Sequence, residues 1–162
     1  MTKVLIIGAS RGIGLETVKT ALLAGHSVSA LARSAASIPV ENPALEKVPG
    51  DALDSSTIRS ALKGVDVVVQ TLGVDIAPRS IFERTTLNDK DVQEWIIGSS
   101  ELDWTIVRPG LLTNRPATGR YRILTAAEDW TFGLISRADV ADFIVRQIDD
   151  RKLIRTTPLI ID

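Results

Sequence analysis

The 162-residue chain has no cysteine, one histidine, one tyrosine and one methionine. Without cysteine there is no disulfide, no thiolate metal site and no cysteine nucleophile. A single histidine argues against a histidine-based metal cluster and against a Ser-His-Asp triad, so no metal is expected. An excess of one charge is also missing. Nineteen Lys and Arg oppose twenty Asp and Glu, which leaves no bulk field to attract nucleic acid or an anionic membrane. No apolar run approaches the length of a bilayer span. The chain runs straight into a strand, without a charged-then-apolar leader and small-residue cleavage site. The expectation is a cytoplasmic protein, a setting that the lack of cysteine permits.

What is present points to one domain over residues 1–162, with 44% hydrophobic and 24% charged residues, enough for a core that folds alone. "KVLIIGAS" is a continuous apolar run, the pattern of a parallel strand buried on both faces. "RGIGLETVKTALLAGH" then switches to helical spacing, with Ile13, Thr17 and Ala21 on one face and Gly25 as the stop. "SVSALAR" and "ALEKVPGD" read as the second and third strands. "DSSTIRSALKG" reads as a short helix capped by Asp54 or Ser55, and "VDVVVQTLG" as a fourth strand. "NDKDVQEWIIGSS" is a helix with Val92, Trp95, Ile96 and Ser99 at helical spacing, and "LDWTIVRPG" a fifth strand. "SRADVADFIVRQIDD" is the last helix, with Ser136 and Asp139 resembling a capping box, and "TPLIID" is a final strand. Strands alternating with helices predict a Rossmann-type, doubly wound α/β fold of three layers around a parallel sheet. "LLTNRPATGRYRILTAAEDWTFG" reads as a long irregular connection at the carboxyl edge of that sheet, where open α/β sheets bind ligands.

Gly8, Gly12 and Gly14 form G-x-x-x-G-x-G between the first strand and the first helix. Such a loop turns sharply, lets backbone approach a pyrophosphate and leaves room for the helix against the sheet. The helix N-terminus then offers free N–H groups to the phosphates. Gly8, Ser10, Arg11, Gly12, Ile13 and Gly14 are the candidate binding residues here. At the end of the second strand a carboxylate would select NAD. This chain has Arg33 there, followed by Ser34, and no acidic residue before Glu41. A guanidinium at Arg33 or Arg11 pairs with a 2′-phosphate, so NADP(H) is expected over NAD(H). The other reading of Arg33 is a solvated cation. Asp51, next to Ala52, is either an acceptor for the adenine amino group or a turn residue after Gly50.

Taken together, "GASRGIG", "GDALD", "DVVVQTLGV", "LDWTIVRPG" and "ISRADVADFIVRQIDD" resemble the atypical short-chain dehydrogenase/reductase proteins. The resemblance is to the NAD(P)-binding, NmrA-like branch that includes biliverdin reductase B-type flavin reductases, and it covers nearly the whole chain. It implies NADP(H) along the strand ends and a small-molecule substrate over the nicotinamide. It further implies that Leu72 and Gly73 line the cofactor and that Pro109 and Gly110 border the nicotinamide. Two departures stand out. A helix–strand unit on the order of 40 residues is absent between the strand ending at Leu72-Gly73 and the helix carrying Lys90. Its loss would let "DWTIVRP" pair directly with "VDVVVQTL" and leave an exposed edge or apolar patch that invites a homodimer. The superfamily's Tyr-x-x-x-Lys pair is also incomplete: Lys90 matches the lysine, but Thr86 stands where the tyrosine would be. A threonine hydroxyl is a poor proton donor at neutral pH.

Lys90 either binds the ribose hydroxyls or pairs with Glu94 at i,i+4; it is the one catalytic candidate. His26, Trp95 and Trp104 read as turn or packing residues, Tyr121 as loop packing over a substrate contact, Trp130 as packing or a contact for a flat ligand, Arg108 as a local ion-pair partner over a phosphate ligand, and Asp139 as a helix-start residue. The functional expectation is hydride transfer from NADPH to a flat acceptor such as a flavin or quinone. The alternative is a non-catalytic NADP-binding module that reports redox state. A remnant that binds no nucleotide is a third reading, and epimerase chemistry ranks below these because the tyrosine is missing.

Overall fold

The computed structural model describes residues 1–72 and 85–162, with side chains of the second segment described from Val92 onward. The elements are β1 (Lys3–Ile7), α1 (Gly12–Leu23), β2 (Ser27–Ala32), β3 (Leu45–Pro49), α2 (Ser55–Ala61), β4 (Val67–Gln70), α3 (Thr85–Gly98), β5 (Arg108–Pro109), β6 (Leu111–Thr113), β7 (Arg122–Leu124), β8 (Leu134–Ser136), α4 (Arg137–Arg146) and β9 (Leu159–Ile161). β1 to β4 form one parallel sheet in the order β3-β2-β1-β4, with Val4 opposite Val28 on one side and Val67 on the other. β1 lies inside this sheet, which is why it carries no polar side chain between Val4 and Ile7 and is buried on both faces.

α1 and α4 cover one face. Val18 and Ala21 of α1 and Val145 of α4 pack with Val4, Ile6, Val28 and Ala30. α2 covers the other face, with Ile58 and Ala61 against Leu5, Ile7 and Leu31. Helices on both faces of a parallel sheet make the Rossmann-type layout that the alternation predicts. The helix ends follow the local sequence. α1 closes with His26 N donating to Ala21 O and Gly25 N to Leu22 O, a Schellman arrangement that leaves His26 in a buried turn. Asp54 caps α2, and hydrogen bonds from the hydroxyls of Thr57 and Ser56 hold its carboxyl down at about 2.

The carboxyl-terminal half departs from the sequence expectations. The fifth strand shrinks from 102–110 to Arg108–Pro109, preceded by a single bridge from Thr105 to Thr156. It pairs with β9 and not with β4; among the described residues β4 ends its sheet. The connection 111–133 contains β6, parallel to β8, and β7, antiparallel to β9. Three-residue strands carry too few alternations to be read from sequence. α3 starts at Thr85, earlier than expected, and its Val92, Trp95 and Ile96 are exposed, Trp95 by 70%. With β5 drawn to β9, no described strand lies under that apolar face, so Trp95 is not a packing residue. Trp130 is one: its Nε1 donates to Leu124 O and the Arg108 guanidinium lies 5.5 Å over its ring.

A second core joins these short strands to the first half. Ile135, Val140, Phe143 and Ile160 are buried together, with Ile13, Val107, Leu112 and Tyr121 packed against them. Gly110 and Gly133 sit where β9 crosses. A Cβ on Gly110 would lie 2.4 Å from Gly133 O and 2.8 Å from Ile161 Cγ2. Asp139 is fully buried at the start of α4. Its Oδ1 accepts from Thr118 N and Gly119 N at 2.8 Å each, and its Oδ2 accepts from Ser136 Oγ at 2.7 Å. Ser136 caps the helix in turn by accepting from Asp139 N. Burial raises the Asp139 carboxyl, but the bonds from Ser136, Gly119 and Thr118 outweigh it and hold the group below its usual 3.8.

Two predictions follow from this packing. Gly110→Ala is expected to cost more than about 2 kcal/mol, because backbone cannot yield to the added methyl, and urea unfolding measures it. A carboxyl held below its unfolded value stabilises the fold fully above that value and loses the contribution as pH falls through the folded one. Asp139→Asn is therefore expected to lose about 2 kcal/mol at neutral pH and to show a shallower fall in melting temperature below pH about 4 than the wild type.

Candidate functional site

β1 ends at the glycine loop, and the loop is shaped by contacts that exclude a Cβ. Gly8 has φ +88°, and a Cβ there would meet Leu72 Cδ2 and Thr71 Oγ1, both at 3.0 Å. At Gly14 a Cβ would lie 2.2 Å from Gly8 O. The first turn of α1 thus rests directly on the end of β1. Gly12, with φ +58°, faces outward; the nearest group to its missing Cβ is Arg137 Nε at 3.9 Å. Arg11 stands at the N-cap in extended conformation with no side-chain cap bond, in contrast to α2 and α4, which Asp54 and Ser136 cap. The residues present fit a dinucleotide phosphate: close-packed backbone, an uncapped helix start and an outward glycine.

The structure brings several sequence-predicted residues to this edge. Ser10, half buried, and Arg11 and Gly12, both exposed, belong to the loop itself. Ile13 turns inward to the second core. Leu72, 47% exposed, lies against Gly8. Arg33 and Ser34 are exposed at the end of β2, and no ion pair holds Arg33 among the described residues. Glu41, the first acidic residue after β2, is committed to Lys47 at 2.6 Å. Asp51 Oδ1 accepts from Leu53 N, and Asp54 N donates to Asp51 O, so Asp51 shapes the turn into α2. Ala52 packs against Leu5, Ile7 and Leu31.

Other candidates lie elsewhere. Pro109 pairs with Ile160 on β9, and the tight contacts of Gly110 run to Gly133 and Ile161. Gly73 and the Lys90 and Thr86 side chains lie outside the described residues. Glu94, the alternative partner for Lys90, accepts from Arg108 Nη2 at 2.5 Å, which gives Arg108 its local role. Tyr121 donates to Asp142 Oδ2 at 2.9 Å and packs edge-on against Phe143. Burial and then the Asp142 bond push its phenol well above the usual range, and its hydroxyl proton is engaged with Asp142. The clefts of about 170 and 280 Å³ that Lys3, Ser29 and Glu46 help to line include no residue of the glycine loop.

Sequence reasoning missed two groups. Thr71 lies under the loop, with Oγ1 donating to Ile7 O at 2.9 Å. Arg137 reaches the loop from α4. The signal for Arg137 was its position: a cation at the first residue of a helix, where carboxylates belong.

The chain is similar to known proteins along most of its length. It is 40% identical over 62 residues to the uncharacterized sugar epimerase YhfK of Bacillus subtilis, a stretch covering 38% of this chain and 28% of that protein. The chain thus spans less than a third of the length of that curated relative. Its fold matches a short-chain dehydrogenase/reductase from Veillonella parvula in complex with NADP, with a TM-score of 0.85, 16% identity and coverage of 99% and 94% of the two chains. It also matches ChuY, an anaerobillin reductase from Escherichia coli O157:H7, with a TM-score of 0.77, 23% identity and coverage of 99% and 97%. The family model described as NAD(P)H-binding matches residues 8–85 and 74–151, from the first glycine of the loop almost to the end of the chain. The chain belongs to this NAD(P)H-binding family and has a Rossmann-type fold.

Proposed function

We propose that the chain binds NADP(H) in preference to NAD(H) and delivers hydride to a small, flat acceptor of the flavin or quinone type. The observation that carries this reading is the end of β2. An exposed Arg33 stands there without a carboxylate partner among the described residues, and the next acidic side chain, Glu41, is bound to Lys47. A ribose 2′-phosphate pairs with that guanidinium, whereas a bare 2′-hydroxyl finds no carboxylate acceptor. Gly8, Gly12 and Gly14 bring backbone to the pyrophosphate, and Leu72 borders it through its contact with Gly8. When bound, the reduced nicotinamide supplies the hydride. The protein's part is orientation, since Tyr121 is locked to Asp142 and Thr86 replaces the superfamily's tyrosine. A flavin-type acceptor takes its proton from water, which suits such a site. A second copy of the chain is part of this reading, supported by exposed Val68 and Leu72 beside β4's outer edge and Trp95 and Ile96 on α3.

Titration of the purified chain with NADPH and NADH, followed by nucleotide fluorescence, is expected to show tighter NADPH binding. Arg33→Ala is expected to weaken NADPH by roughly 10-fold or more and leave NADH nearly unchanged, as removal of a charge-assisted bond predicts. NADPH oxidation is then measured with flavin mononucleotide and a benzoquinone as acceptors. Tight binding without turnover assigns the chain to a redox-reporting module instead, and no binding of either nucleotide overturns the reading.

A further inference from the structure

Arg137 is the first residue of α4, where the helix dipole favours an anion and disfavours a cation. It also lies over a second helix start, with Nε 3.9 Å from the position a Cβ on Gly12 would take, and Gly12 opens α1. The α1 start, which has no side-chain cap and no acidic residue in its first turn, and one permanently charged guanidinium therefore meet at one point on the sheet's carboxyl edge. Ser136 and the Asp139 carboxylate satisfy the start of α4, but no carboxylate pairs with the Arg137 guanidinium among the described residues. Arg108, Arg146 and Arg151 pair with Glu94, Asp142 and Asp103, but Arg137 has no such partner. Asp139, two residues away, is committed to Ser136, Thr118 and Gly119. Among the described residues, Arg137 Nη1 donates to the neutral amide oxygen of Asn114 at 2.7 Å.

The topology explains why these groups converge. β6 and β8 are parallel with Thr113 opposite Ser136, so Asn114 and Arg137 leave the sheet side by side. α4 packs along α1, which sets its first residue beside Gly12. A cation held in that position by a neutral side chain is unfavourable alone. An anion between it and the α1 N–H groups turns each repulsion into an attraction.

We propose that Arg137 clamps the pyrophosphate of the bound dinucleotide from the side opposite the α1 N-terminus, with Asn114 as the residue that positions it. The assignment rests on the dinucleotide reading above and adds a phosphate ligand from the far end of the chain to the glycine loop and Arg33.

The test uses the full chain with NADPH, NADH and ADP as probes. Arg137→Gln is expected to weaken all three by a similar factor, roughly 10- to 100-fold, the range for loss of a charged hydrogen-bonding partner. The NADPH-to-NADH preference stays as in the wild type, whereas Arg33→Ala changes that preference. Arg137→Lys, which keeps the charge but not the planar fork, falls between. Asn114→Ala, with the guanidinium intact, shows a smaller loss of the same pattern. The melting temperature of ligand-free Arg137→Gln stays at or above the wild-type value, since a cation has left a helix N-terminus. Unchanged affinities in a folded Arg137→Gln overturn the proposal, and so does a loss confined to NADPH, which moves the guanidinium to the 2′-phosphate. If Arg137→Gln folds poorly, Arg137→Lys and Asn114→Ala decide: wild-type affinity in both overturns the clamp. Failure of the wild type to bind any of the three probes overturns the dinucleotide reading itself, a result separate from any variant.

Discussion

The structure depends on the approach of α1 to the end of β1. Gly14 meets the Gly8 carbonyl so closely that a single methyl would lie 2.2 Å from the oxygen. That contact fixes the height of α1 over the sheet and aims its first N–H groups past the strand end. Thr71, just past the end of β4, strengthens the same corner by donating to the Ile7 carbonyl. Because α4 packs along α1, the height of α1 also fixes where α4 begins. Ile13, one residue after the outward glycine, reaches into the second core and ties the loop to β8, β9 and Phe143. The start of α1 is thus framed by elements from both ends of the chain.

The second core is built from strands of two or three residues, which hold together through side chains more than through ladders. β9 is the common member: it pairs with β5 and β7, and Ile161 fills the space that Gly110 and Gly133 leave open. Asp139 fastens the loop at Thr118 and Gly119 to the start of α4 with charge-assisted bonds in a buried setting. The neighbouring Tyr121 is consumed by the same framework through Asp142 and Phe143. Groups that move protons in other settings here hold loops.

How much could be read from the residues depends on the range of the interactions. The first half was legible because its signals are local and redundant: apolar runs for buried parallel strands, glycines where backbone crowds, Asp54 as a cap and Gly25 as a stop. The second half was less so. Val107 and Arg108 look like the end of a long strand, but besides the Thr105 bridge only Arg108 and Pro109 form a ladder, and they do so with residues about fifty positions away. Val92, Trp95 and Ile96 have helical spacing and do form a helix, yet spacing does not say what covers the face. Arg137 was passed over because a lone arginine at a helix start has no meaning until a second helix is placed beside it.

The sequence by itself determined the alternation of strands and helices, the glycine loop and the arginine in place of a carboxylate after β2, since each depends on neighbours within a few residues. Only the tertiary structure decided that β5 joins β9, that Gly110 is a packing glycine, that Asp139 anchors a loop and that Arg137 overlooks Gly12. Those outcomes depend on which distant segments share one buried volume, and no local pattern encodes that choice.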